Sequence, residues 1–329
     1  MSAALTPVHA VPLAHPPGLY PNNMCTHRGG AYASYAAESA VHTVQVATGA
    51  PCFRPLRFTE GRVHHLAAVN DAATQDVVLV VVLSARLVVL VVNGQQTHAL
   101  SEPCGDAALT CAAAARVAGS EEMVVAVGAS QGRLARCRLT SQGRRVEGAE
   151  EVTELAPAHG GRGITAIDLE CITGGPATSV AMASGDAGGH VVLWTDGHPV
   201  QTVAPECDAD AVTCVRLIAS SNAVAVAYGG GQLRLIQRSS GAVAVTIQAH
   251  SRWIHTLVYS PARQWLATAA EDGQLYVWSV TAVDANRVCV AHGAVKDELP
   301  TGLAILEDER ALLLTSYDVA TLRTFAIPG

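Results

Sequence analysis

Residues Gln248 to Val280 (QAHSRWIHTLVYSPARQWLATAAEDGQLYVWSV) constrain this chain more than any other stretch. His250 ends one extended run. Three more follow, Trp253–Tyr259, Trp265–Ala269 and Gln274–Val280, each short and bounded by turn residues. The turn Glu271-Asp272-Gly273 precedes the last of them, which closes on Trp278. Runs of this length make a small sheet that must pack against neighbours to be stable. The polar residues within it read as structural. The spacing predicts that His250 hydrogen-bonds toward Asp272, with Thr268 and Trp278 completing a buried network. Asp272 ties down the turn, and the Trp278 indole fills the space between sheets while its N–H still needs a partner.

The pattern recurs in weaker forms. Gly189–Trp194 (GHVVLW) follows Ser184-Gly185-Asp186 and lies downstream of His159, so His159, Ser184, Asp186 and Trp194 are expected to form a second network. Gly231–Ile236 (GQLRLI) has Ile236 in the tryptophan position and no turn aspartate, and Gly132–Leu139 (GRLARCRL) is looser still. The spacing from Gly231 to Gly273 matches one blade of a β-propeller, about 40–45 residues. The longer interval from Gly132 to Gly189 points to insertions. Short strands, an Asp-Gly turn and a closing tryptophan at this period resemble the WD40 repeat. The chain has 329 residues, room for seven four-stranded blades at about 45 residues each. The expected fold is therefore all-β, a single seven-bladed WD40 propeller over residues 18–329.

Composition fits packed sheets. Hydrophobic residues make up 50% of the chain but aromatics only 4%, so Val, Ala, Leu and Ile must fill the core. Valine alternation outweighs the helix propensity of the alanines. Val77–Val92 (VVLVVVLSARLVVLVV) is shorter than a bilayer span and has Arg86 near its middle, so two adjacent strands joined by a tight turn explain it better than a membrane helix. The N-terminus lacks the basic and apolar regions of a signal peptide. Lys296-Asp297-Glu298-Leu299 spells a retention signal but is internal, and reads as a loop. Net charge is −7, and Lys296 is the only lysine, which weighs against a nucleic-acid groove. The nine cysteines include no CxxC pair, so they are read as small buried thiols of a reducing compartment, with no metal site.

Ring closure is the sharpest fold expectation. Blade one is assigned Ala31–Glu38, Val41–Ala47 and Phe53–Phe58. Blade three is assigned an outer strand at Val152–Leu155, after a charged loop at Thr140–Glu151. Blade seven has only Thr301–Leu306, Ala311–Thr315 and Leu322–Ile327 before the chain stops. A propeller must not leave an unpaired edge there. The missing outer strand is expected from the N-terminal side at about residues 18–27, with residues 1–17 a flexible leader.

Catalytic motifs do not assemble. The glycine-rich Ser184–Gly189 run is followed at once by a strand, whereas a dinucleotide fingerprint needs a helix there. Asp186 and Asp272 lie two blades apart. His64 and His65 are successive residues, which a regular strand points to opposite faces, away from a shared metal. No enzyme activity and no cofactor are expected.

Several segments carry a closer resemblance. Gly230-Gly231-Gln232-Leu233, Gln248-Ala249-His250, Ala270-Glu271-Asp272-Gly273 through Trp278, and Leu313–Ala320 followed by Arg323-Thr324-Phe325 are similar to the WD repeat-containing protein fifty-four family, most strongly over residues 229–325. Asn22-Asn23 and Thr165-Ala166-Ile167 look similar as well. The resemblance implies a non-catalytic interaction protein with no catalytic residues to carry over. Divergent single propellers of this kind, with an Ala- and Gly-rich composition like that of proteins from flagellated algae and protists, suggest a structural subunit of a ciliary or flagellar (axonemal) assembly. The alternative is a soluble cytoplasmic adaptor holding a peptide on one propeller face. Protein partners in a large complex are expected, with no nucleic acid, membrane insertion or obligate homo-oligomer. Candidate partner-binding residues are Arg144, Arg145, Arg162, Arg252 and Arg263, with Trp253 either an exposed anchor or the buried start of an inner strand.

Overall fold

A computed structural model describes residues 2–70, 77–117, 120–142, 145–149, 152–172, 179–205, 210–281, 288–306 and 309–328. Seven sheets follow one another along the chain, their strands antiparallel and in sequence order from the axis outward except where the N-terminal segment adds a strand at the outer edge of blades six and seven. These are the seven blades of a propeller, and strands are lettered a to d from the inside. Strand a is Met24–His27, Val63–Asn70, Leu109–Arg116, Ile164–Ile172, Val212–Ile218, Ile254–Ser260 and Pro300–Ile305 in blades one to seven. Because neighbouring strands alternate in direction, the d–a and b–c connections share one end of the ring, called upper here. The a–b and c–d connections share the lower end.

The core is divided among seven clusters, each between two adjacent blades. Blades two and three share one containing Val80, Leu90, Met123 and Leu139. Blades five and six share another with Ile218, Leu257, Leu266 and Trp278. Strands b and c of blade two, Val77–Leu83 and Leu87–Val92, pair directly through the turn at Ser84-Ala85-Arg86. They sit between two blades, so Val78–Leu83 and Val88–Val92 are buried on each face. Near the axis the inner strands crowd together and small side chains fit. Ala112–Ala115 form the middle of strand a in blade three, where packing overrides alanine's helix preference.

The closure differs from the sequence expectation. Strand d of blade seven is Thr6–Pro12, which pairs antiparallel with strand c, Val319–Ala326. Met24–His27 is instead strand a of blade one, paired with Tyr32–Ala37. Within residues 1–17, expected as a flexible leader, Ala3–Ala4 and Thr6–Pro12 are strands. Pro7 and Pro12 disguised the strand. Proline supplies no N–H to a ladder, but an outermost strand has one edge facing solvent and tolerates it. A bulge between Pro7 and His9 accommodates the first, and Val11 points into the core between blades seven and one.

The N-terminal chain also grips blade six. Ala3–Ala4 pairs in parallel with Ala291 and His292 of its outer strand, and the Leu5 amide donates to the His292 carbonyl at 2.7 Å. Leu5 is buried between blades six and seven. One extended segment thus spans both blades on either side of the seam.

Two outer strands need correction. In blade one only Leu56–Arg57 pairs as strand d. In blade three part of the expected loop is a strand. Arg145–Ala149 and Thr153–Glu154 both pair with Leu134–Gln142 in outer position, because strand c runs longer than its hydrophobic core and carries a polar hairpin on its extension.

Candidate interaction surface at the channel mouth

Two buried networks occupy the upper end. In blade six His250 Nδ1 lies 3.0 Å from Asp272 Oδ1 and Nε2 lies 2.8 Å from Thr268 Oγ1, which accepts the Trp278 indole N–H at 3.0 Å. Burial raises the Asp272 carboxyl, but the Ser251 and Gln274 amides and His250 outweigh it and hold it below the usual range. Burial lowers His250 despite that carboxylate. A neutral imidazole then donates from Nδ1 to Asp272 and accepts the Thr268 proton at Nε2, so every group in the chain is satisfied.

Blade four repeats the arrangement with serine. His159 contacts Asp186 Oδ2 at 2.8 Å and Ser184 Oγ at 2.7 Å, and Trp194 Nε1 donates to Ser184 at 2.8 Å. Serine, histidine and aspartate in this order could be mistaken for a nucleophilic triad. Here Ser184 and Asp186 have no exposed surface, and the Trp194 N–H occupies the serine oxygen. A substrate has no approach. Sequence reasoning missed a third chain in blade one, His27 to Ser34 to Thr43, with contacts of 2.9 and 2.7 Å. No Asp-Gly turn or tryptophan advertises it.

Asn23 is the other residue whose role the sequence did not declare. It is buried where blade one meets blade seven. Its amide donates to Gly18 O at 2.6 Å and Thr301 Oγ1 at 3.2 Å, while its oxygen accepts from Thr315 Oγ1 at 3.4 Å. Asn22 reaches across the ring, its amide 3.4 Å from the Cys214 thiol of blade five.

A repeated irregularity shapes the mouth of the axial channel. Strands a of blades two to seven each carry a bulge beside their second residue: His64, Thr110, Thr165, Thr213, His255 and Thr301. A bulge leaves a residue outside the ladder and re-aims its side chain. Four of these residues, with Tyr20, Asn22 and Trp253, line a cavity of about 260 Å³ at the upper end. The bulge also separates His64 from His65 differently than a regular strand would. His64 packs against Tyr20 with ring centroids 4.2 Å apart and the planes tilted by 34°. His65 lines both this cavity and the channel below it, which is about 370 Å³ and holds Asp168 and Arg216. Burial raises the Asp168 carboxyl against the pull of Arg216, and the Leu217 amide donates to it at 2.7 Å.

Trp253 precedes strand a of blade six and remains 37% exposed. Its seat explains the run Gly229-Gly230-Gly231. A Cβ on Gly229 would stand 2.8 Å from the indole, one on Gly230 would collide with the Asp210 carboxylate, and one on Gly231 with the His250 carbonyl. Arg252 is exposed beside it. Arg162 is at the same end, donating to His159 O at 3.2 Å. Arg263 lies at the lower end, 5.1 Å over the Trp265 ring and 3.8 Å from Glu309. Arg145 begins an outer strand of blade three, its side chain outside the described residues, as is all of Arg144. The candidate arginines therefore do not form one surface. Among the described residues no cluster of His, Cys, Asp and Glu could hold a metal ion.

Residues 63–327, blades two to seven, match the WDR54 family model. WD repeat-containing protein 54 of Mus musculus is 28% identical over 233 residues, 69% of this chain and 67% of that protein. Its Homo sapiens counterpart is 26% identical over 243 residues, 70% of this chain and 67% of that protein. Among solved structures, a chain from "Crystal Structure of Mitotic Checkpoint Complex" superimposes with a TM-score of 0.74 at 18% identity, covering 98% of this chain and 92% of that one. That likeness is one of fold.

Proposed function

This chain belongs to the WDR54 family of WD-repeat proteins, and from that premise we propose that it is a non-catalytic interaction scaffold whose finer place is a ciliary or flagellar assembly. The observation that carries the scaffold reading is the state of its polar groups. The Ser–His–Asp and Thr–His–Asp chains are buried and internally satisfied, so they stabilise blades rather than meet substrates. The ring offers loops at both ends and an N-terminal segment along one side, surfaces suited to several neighbours at once. No helix among the described residues is long and apolar enough to cross a membrane.

The ciliary placement is supported by the divergence of the repeats and by composition, which are associations and not site chemistry. Its test is fractionation of cilia or flagella carrying the tagged chain, by detergent and then high salt. Retention with the axoneme at fixed ratio to structural proteins is expected. Release with membrane and matrix, or absence from the organelle, would remove it.

A second reading, a soluble adaptor for a peptide, is favoured by one observation. Trp253 is held half-open on a glycine seat beside the threonine-lined cavity at the channel mouth.

A further inference from the structure

The hydroxyls at the mouth are chemically one-sided. Thr110 has a single hydroxyl proton, and its neighbours Ile164 O at 2.6 Å and Gly128 O at 3.0 Å can only accept. Thr165 donates to Gly185 O at 3.2 Å. With those protons held by main-chain carbonyls, the oxygens can offer only lone pairs to the cavity. Thr213 Oγ1 is buried, and among the described residues it has no nitrogen or oxygen partner, only the Cys214 thiol against it. The residues lining this cavity include no lysine or arginine. Burial pushes the His64 imidazole below its ordinary range, which favours the neutral ring.

One carboxylate stands close to the mouth: Asp210 abuts the glycine seat of Trp253, while the Glu271 carboxylate is engaged by His255 Nε2 at 3.2 Å. Arg216 lies in the channel below, where its charge reaches His65. Arg252 is exposed and lines neither cavity. The whole chain carries a net charge of −7. At about 260 Å³ the mouth is smaller than most small-molecule pockets, roughly 300–1,000 Å³, and suits one side chain.

We infer that this mouth takes up a basic side chain, an arginine above all, from an extended segment of a partner protein, with the cation against the Trp253 and Tyr20 rings and its N–H groups on the threonine oxygens. Threonine oxygens whose protons are already held by carbonyls need a donor. A guanidinium has five N–H donors and stacks on aromatic faces, whereas an ammonium presents three donors on a strongly hydrated centre. The inference rests on the adaptor reading and names the ligand chemistry of its site.

The test uses the full chain labelled with 5-fluorotryptophan at Trp194, Trp253, Trp265 and Trp278, with Trp253→Phe assigning the resonance. The probes are acetyl-Ala-Arg-Ala-amide and its lysine and citrulline counterparts. Citrulline keeps the shape of arginine without the charge. A saturable shift of the Trp253 signal with the arginine peptide is expected, weaker with lysine and about tenfold weaker or more with citrulline, equivalent to about 1.4 kcal/mol. Thr213→Val should weaken binding severalfold while the Trp194 and Trp278 signals report an intact fold. No saturable shift at Trp253, equal binding of citrulline, or unchanged affinity in Thr213→Val would each overturn the inference. The scaffold reading is judged separately. If tagged wild-type and Thr213→Val chains bring down the same proteins while the peptide fails, only the pocket inference falls.

Discussion

Trp278→Phe removes the indole N–H together with part of the buried ring, leaving Thr268 bonded to His250 alone and a small cavity between blades five and six. A loss of about 1–2 kcal/mol is expected from urea unfolding. His250→Ala is harsher, because it leaves Asp272 and Thr268 without their shared partner and opens a cavity. A loss of about 2–4 kcal/mol is expected. If the two variants cost the same, the network is not coupled as drawn. Protons supply a second test at this scale. Burial holds His27, His42 and His65 at about 4. The unfolded chain binds their protons near pH 6.5 and the folded chain does not, so stability is full above that pH and falls as pH drops toward 4. Each histidine contributes a slope of about 1.4 kcal/mol per pH unit in that window. Urea midpoints measured from pH 7 to pH 4.5 should fall steadily, and a flat profile would show that these rings are not buried neutral.

At the scale of elements, the seam between blades six, seven and one carries the predictions. Removing residues 2–5 takes away the parallel pairing to blade six and the burial of Leu5, a loss of about 1.5–3 kcal/mol. Removing residues 2–12 also strips strand d from blade seven and exposes the edge of Val319–Ala326. Size-exclusion chromatography should then show association or aggregation through that edge. A soluble monomer with unchanged melting temperature would contradict the closure. Asn23→Ala should cost about 1–3 kcal/mol, since Gly18 O and the Thr301 and Thr315 hydroxyls all lose their partner. What the sequence disclosed follows the same physics. Strands of blades four to six were legible because Trp194, Trp278 and the Asp-Gly turn of blade six mark the repeat. The closing strand was not, because Pro7 and Pro12 read as breakers until the edge position of that strand is known. The alanine-rich inner strand of blade three took its conformation from its neighbours. The mouth was hidden for a different reason. His64, Thr110, Thr165 and Thr213 lie far apart in the chain, and only the repeated bulge and the ring bring them together. Trp253 was visible as a residue, but its partial exposure depends on Gly229 and could not be read from spacing.

For the molecule as a whole, the division of the core among seven inter-blade layers makes stability a property of the closed ring, while blades four and six are pinned by complete networks. The end loops and the mouth lie outside those networks, and the ring closes even where the repeats are as degenerate as those of blades one to three. The most direct measurement is quantitative affinity purification of the full tagged chain from its own cells, washed in high salt, with component ratios read by mass spectrometry. The scaffold account predicts one or more proteins retained at a fixed ratio to the chain. Elution of the 34.0 kDa chain alone, in every extract and at every salt concentration, would contradict it.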